Sequence, residues 1–339
     1  MTTRQGRPPT LEEVAVRAGV GRGTVSRVIN GSPRVSERAR TAVLKAIDDL
    51  GYVPNRAART LVTRQSDTVA LVVSQSGERL FAEPFYAGIV RGISATLAAA
   101  DLQLLLMLAS SSAELARMEN YLTAQHVAGA MLLSLHRSDR LPQRLEAAGV
   151  PCVLGGQLID IEPGTLSQVD VDNNGGARSA VQHLIGTGRR RIATITGALD
   201  MLSGLERLRG YQAVLEEADL PADLVATGDY SYASALDGMR QLLETEPELD
   251  AVFAASDPMA MAAIRVLRDR GRRVPDDVAV VGFDDSDLAL HAEPPLTTVH
   301  QPIELMGSEM ARLLVDRVHG EREKIEVLLD THLVVRASA

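Results

Sequence analysis

The sequence predicts a chain in two parts: a small all-α module of three short helices, followed by an α/β body of two successive parallel-sheet units. Three observations carry this. Charge is divided, with twelve Lys and Arg against five Asp and Glu in residues 1–66, a balance of +7, and −16 over the remainder. One capping signature and several glycine stops cut residues 10–51 into helix-sized pieces. From Asp67 onward, short β-rich apolar runs alternate with helical segments.

Thr10-Leu11-Glu12-Glu13 has the T-x-x-E form of a capping box, in which the Thr oxygen and the Glu carboxylate each satisfy an orphan amide at a helix start. It predicts a helix over about 11–18, with Leu11, Val14, Ala15 and Ala18 on one face. Gly19 can take the left-handed conformation that ends it. A second helix follows over 22–29, burying Val25, Val28 and Ile29, with Asn30 and Gly31 as its stop. Ser36 caps a third that runs to Leu50, carries Ala39, Val43, Ala46, Ile47 and Leu50 as its stripe, and ends at Gly51.

Three such helices, the first two joined by a tight glycine-containing turn, describe a helix-turn-helix. Residues 22, 23, 26 and 27 then project from the outer side of helix two, the side such a helix lays in the major groove of DNA. Arg22 and Arg27 each suit paired hydrogen bonds to guanine and favour a G-rich half-site. Gly23 reads nothing itself, and serves by close backbone approach or by leaving room for Arg22. Thr24 and Ser26 suit phosphate contacts. Gly19, Gly21 and Gly23 loosely match a nucleotide-binding fingerprint, but that loop requires a preceding strand, and here a capped helix precedes it.

In the body, runs such as DTVALVVS, AGAMLLSL and VPCVLGG alternate with helical segments, and the alternation restarts at RRIATITG. Repeated βα units of this length indicate parallel sheets covered on both faces. Ligands of such sheets bind beyond the carboxyl ends of the strands, here across a cleft between two halves. A single cysteine, Cys152, excludes a disulfide framework and reads as a small buried hydrophobe in a strand. No apolar run approaches a membrane span and MTTRQGRPPT has no signal-peptide apolar region, so a cytoplasmic protein without a membrane partner is expected. The seven histidines show no metal spacing, and no HExxH, GxSxG or Walker-type loop is present; neither an enzyme, a cofactor nor a metal is expected.

The runs TLEEVAVRAGVGRGTVSRVING and VSERARTAVLKAIDDLGYVPNRAARTL resemble the DNA-binding head of the LacI/GalR family of bacterial repressors, and the likeness continues through most of the chain. The resemblance implies a helix-turn-helix domain over 1–54, a hinge helix and linker over 55–66, and a periplasmic-binding-protein-like effector and dimerisation body over 67–339. Its N-subdomain would take 67–166 and 302–323, its C-subdomain 167–301 and 324–339, joined by three crossovers. Arg22, Gly23 and Arg27 would hold the base-reading positions, with Thr10, Thr24, Ser26, Asn30, Asn55, Arg56 and Ala58 completing the DNA-facing set. The hinge helix over 56–63 would insert Leu61 into the minor groove, a residue that by itself reads as ordinary packing.

The same resemblance places Phe85, Tyr86, Ser203, Arg207, Tyr230, Ser256, Asp284 and Gln301 around a small-carbohydrate effector. Read alone, Phe85 and Tyr86 divide evenly between core and cleft edge, Arg207 has a surface salt bridge as its alternative, and Asp285 caps a turn or faces solvent. Ser256 departs from the asparagine of some relatives. A homodimer on a palindromic operator is implied, preferred to a tetramer because no apolar heptad tail follows. GVGRGTVSRVINGS, NRAARTLVTR, FAEPFYAGIV, LLSLHR and AEPPLTTVHQP together resemble cellobiose-responsive repressors of cellulose-utilisation genes, which makes cellobiose the favoured effector. A transport-associated sugar-binding protein, a nucleotide-dependent oxidoreductase, another sugar and a corepressor mode remain as alternatives.

Overall fold

The computed structural model describes residues 9–29, 32–52, 66–162 and 164–339. They form two compact units, one ending at residue 52 and the other beginning at residue 66.

The first unit contains α1 (Leu11–Ala18), α2 (Arg22–Ile29) and α3 (Glu37–Leu50). The capping box at Thr10 is complete: the Glu13 amide donates to Thr10 Oγ1 at 3.3 Å, and the Thr10 amide donates to Glu13 Oε2 at 2.7 Å. Gly19 and Gly51 end α1 and α3 in the left-handed region, at φ 67° and 61°, and Ser36 Oγ accepts from the Ala39 amide. Val14, Val25 and Val43, one from each helix, meet in the centre with no exposed surface, and Ala15, Val28 and Ala46 fill the space around them.

The second unit begins with β1 (Thr68–Val73), α4 (Gly77–Ala82), α5 (Pro84–Ala99), β2 (Gln103–Leu108), α6 (Ser112–Thr123), β3 (Gly129–Leu133), α7 (Leu141–Ala147), β4 (Cys152–Gly155) and β5 (Ser167–Val171). Its second run comprises α8 (Asn173–Gly186), β6 (Ile192–Ile195), α9 (Leu202–Glu217), β7 (Val225–Ala226), α10 (Tyr232–Thr245), β8 (Ala251–Ala254), α11 (Asp257–Asp269), β9 (Ala279–Asp284), α12 (Asp287–His291) and β10 (Thr297–His300). The chain closes with α13 (Ile303–Val318), β11 (Glu326–Leu329) and β12 (His332–Val334). Two six-stranded sheets result, ordered β11-β5-β4-β3-β1-β2 and β12-β10-β9-β8-β6-β7. Every pairing is parallel except β10 with β12. The central strands are buried nearly end to end, as strands covered by helices on both faces must be.

The lobe boundaries differ from those expected at 166/167 and 323/324. Residues 167–171 and 326–329 belong to the first sheet, where Val169 faces Val327 in the β5–β11 register. Val169 and Val171 extend the apolar layer of Met131 and Val153, so β5 continues the first sheet instead of opening the second. The chain passes between lobes at residue 172, at 301–302 and at 330–331.

Helices α5 and α13 pack closely enough to exclude a methyl group. A Cβ on Gly92 would stand 2.0 Å from the Glu304 carbonyl oxygen, and one on Gly307 would stand 2.3 Å from that of Ile89. Both obstructions are backbone and cannot swing away. Gly92→Ala is expected to lower unfolding stability by about 3 kcal/mol through overpacking, read as a reduced midpoint in urea; an unchanged midpoint would refute the close approach.

Candidate functional site

On the first unit, α2 presents Arg22, Gly23 and Arg27 to solvent, while Thr24 and Ser26 are half-buried. Ser26 therefore stands less clear of the module than the outward placement expected for it. Arg22 Nη1 lies 3.1 Å from Glu12 Oε1 of α1, with both side chains well exposed. Arg27 Nε donates to the Gly23 carbonyl at 3.0 Å. The space over Gly23 faces Arg27, 3.6 Å away. Thr10 spends its hydroxyl on the capping box. Asn30, Asn55, Arg56, Ala58, Leu61 and the hinge segment over 56–63 lie outside the described residues.

In the second unit, Phe85, Tyr86, Ser203, Arg207, Tyr230, Ser256, Asp284 and Gln301 all line one cavity of about 850 Å³, its open mouth included. Each sits where the βα topology brings it, at or just beyond the carboxyl end of a strand or in the first turns of the following helix. Phe85 and Tyr86 begin α5, their rings edge to face at 5.4 Å, and Tyr86 Oη shares a 2.9 Å hydrogen bond with Ser134 Oγ beyond β3. Tyr230 Oη does the same with Ser203 Oγ of α9, also at 2.9 Å.

Arg207 is at the centre. It is only 5% exposed, so the surface-ion-pair alternative is excluded. Its Nε donates to Asn173 Oδ1 at 2.9 Å and its Nη1 to the Ala255 carbonyl at 2.5 Å, while the guanidinium carbon lies 3.5 Å from the Phe283 ring centroid. Asp284 Oδ1 is 3.8 Å from Nη1 and accepts from Gln301 Nε2 at 2.5 Å. Ser256 Oγ is buried at the start of α11 with no hydrogen-bond partner among the described residues. A buried hydroxyl without a partner is costly, and one that lines a cavity is placed to bond whatever fills it.

Of the eight non-glycine residues with positive φ among the described residues, four lie at or beside this cavity. Ser134, Tyr230, Asp284 and Asp285 hold φ values of 59°, 73°, 114° and 54°, a region that non-glycine residues seldom occupy and that concentrates where geometry serves binding. Asp285 does not face solvent: Arg336 Nη2 donates to it at 2.5 Å and His300 Nδ1 lies 3.0 Å away, which turns it behind the cavity wall.

Reasoning from sequence did not find Asp170 and Asn173. Asn173 Nδ2 donates to Asp170 Oδ1 at 3.1 Å while its Oδ1 receives Arg207, so the pair orients the guanidinium from behind. The available signal was their position at the end of an apolar run, in VDVDNN. Burial pushes the Asp170 carboxyl up to about 6, against the opposing pull of its hydrogen bond from the Val171 amide and of Arg207. Asp284 is raised well above the ordinary range by burial, with Arg207 opposing and Asp257 adding to the rise.

With this geometry established, similarity to known proteins decides the family. Residues 10–55 match the bacterial regulatory proteins of the lacI family, and residues 181–339 match the periplasmic binding protein-like domain. The HTH-type transcriptional regulator CelR of Thermobifida fusca is 59% identical over 335 residues, covering 98% of each chain. The chain belongs to the lacI family. It is a DNA-binding transcriptional regulator, with a helix-turn-helix head and a periplasmic-binding-protein-like body. Among solved structures, a transcriptional regulator CelR–cellobiose complex is 56% identical, covers 98% of this chain and 100% of its own, and superposes with a TM-score of 0.80. A lac repressor dimer bound to operator and the anti-inducer ONPF is 30% identical, covers 98% and 99%, and gives 0.87.

The raised Asp170 carboxyl fixes a pH dependence for this lacI-family body. The folded state holds the proton that the unfolded chain loses near pH 4, so stability from this group is greatest below about pH 4 and falls as pH rises through about 6. Asp170→Asn should flatten that fall by something on the order of 2 kcal/mol, measured by urea unfolding at pH 4.5 and pH 7. An identical pH slope in the variant would contradict it.

Proposed function

We propose that the protein is a cytoplasmic, homodimeric repressor of sugar-utilisation genes that reads a palindromic, G/C-rich operator and releases it when cellobiose fills the cleft. The observation that carries this reading is that the eight side chains the family resemblance implies for an effector all line one cavity, together with the buried hydroxyl of Ser256, which has no partner among the described residues. Similarity to a CelR–cellobiose complex at 56% identity supports the sugar.

The chemistry fits. A disaccharide offers many hydroxyls, each able to donate and accept, and apolar ring faces. Arg207 supplies a planar fork of donors, Asp284 and Gln301 supply acceptors, and Phe85, Tyr86 and Tyr230 supply flat surfaces. The volume lies within the range of small-molecule pockets. A ligand that bridges both lobes favours the closed arrangement, and operator affinity changes only as far as the two arrangements bind sugar unequally. On the DNA side, two heads on a twofold axis match a symmetric operator, with Arg22 and Arg27 as guanine readers. Arg22 leaves Glu12 to do so, a change of small cost because exposed ion pairs contribute little.

An operator mobility shift with and without cellobiose tests the whole reading: cellobiose should weaken binding by at least roughly tenfold, equivalent to about 1.4 kcal/mol of coupling. Unchanged operator affinity would refute it. Arg207→Ala should weaken cellobiose binding roughly a hundredfold in calorimetry while the operator complex without sugar persists. Arg22→Ala should lose discrimination at one guanine, a change of about 1–3 kcal/mol, whereas Thr24→Ala weakens all sequences alike; an unchanged binding-site logo for Arg22→Ala rules out the assigned readout.

A further inference from the structure

The second unit holds two cavities that share no lining residue. The inner one holds the effector candidates. The outer one, about 1530 Å³ with its open side, lies beyond the carboxyl ends of β1, β2 and β3 and is rich in hydroxyl and guanidinium groups, among them Ser74, Ser76, Ser110, Ser138 and Arg140.

Residues adjacent in the chain line different cavities. Leu135 faces the inner cavity and His136 the outer; Met201 faces the inner and Asp200 the outer. Arg79 lines the outer cavity, and its ion-pair partner Glu83 lines the inner one. The partition therefore consists of groups paired from one lobe to the other. On one flank the Arg137 amide donates to the Asp200 carbonyl at 2.8 Å, and His136 Nδ1 lies 2.9 Å from Asp200 Oδ2. A backbone hydrogen bond holds that flank whatever the side chains are.

The other flank depends on one side chain. Arg79 Nε donates to Glu83 Oε1 at 3.0 Å, Nη2 donates to the Asp229 carbonyl, and Nη1 stands 3.7 Å from Asp229 Oδ2. Glu83 belongs to the first lobe, and Asp229 to the second, next to Tyr230. Burial raises the Glu83 carboxyl, and Arg79 opposes that rise, as expected of a pair only partly reached by water.

The geometry points to Arg79 as the residue that sets the length of sugar the cleft accepts. Its guanidinium lines the outer cavity and links Glu83, which lines the inner one, to Asp229 of the other lobe, and in this assignment that span stops the sugar after two units. The outer cavity, lined with hydroxyls, would receive the further units of a β-1,4-linked glucose oligomer once that side chain is removed. The inference rests on the cellobiose reading and adds a determinant of chain length to it.

Calorimetry on the full chain with cellobiose and cellotriose tests it. The unaltered protein should prefer cellobiose by at least roughly tenfold, and Arg79→Ala should narrow that preference to within about threefold while still binding cellobiose. Arg79→Lys, which keeps a cation opposite Glu83, should retain most of the preference. An Arg79→Ala chain with an unchanged ratio overturns the assignment. So does an unaltered protein that binds cellotriose as tightly as cellobiose, a measurement that requires no variant. An unaltered protein that binds neither sugar overturns the cellobiose reading and this assignment together.

Discussion

A guanidinium buried at the junction of two sheets sets the terms for the groups around it. Removing a charge from water costs several kcal/mol unless hydrogen bonds and opposite charge offset it. Arg207 has the Asn173 oxygen, the Ala255 carbonyl and the face of Phe283, with Asp284 just beyond hydrogen-bonding distance. Those partners come from different segments: Asn173 from the first turn of α8, Ala255 from the end of β8, and Phe283 and Asp284 from β9. Each contributes to holding the charge in place within the wall of the cavity. The neighbouring carboxyls are both pushed toward their neutral forms by burial.

Much of this was legible in the residues. The three head helices follow from Thr10, Gly19, Ser36 and Gly51, because capping and left-handed stops act over a few residues and leave a local signature. The alternation of apolar runs and amphipathic segments likewise gave two parallel sheets. What the pattern did not carry was membership. SQVDV has the same alternation in either sheet, and only the apolar layer it joins assigns β5 to the first. That information is tertiary, and no short window contains it.

The site divides in the same way. Asp284 and Gln301 were reachable through strand ends and family likeness, but Asp170 and Asn173 act through Arg207 and have no motif of their own. Asp285 reads as a solvent-facing acid because its partners, Arg336 and His300, are remote in sequence. On the head, the neighbour above Gly23 is set by the rotamer of Arg27, four residues on. Long flexible side chains are the least predictable component of a short helix.

The glycine contacts between α5 and α13 join residues 84–99 to 303–318, and β11 adds a last strand to the same sheet from residues 326–329. On a ribosome, the first lobe therefore waits for most of the chain behind it. At about 5–20 residues per second, a delay of some 200 residues lasts roughly 10–40 seconds. Throughout that interval the face of α5 that receives α13 lacks that helix, so the core of the first lobe is completed only when the final tenth of the chain has been made.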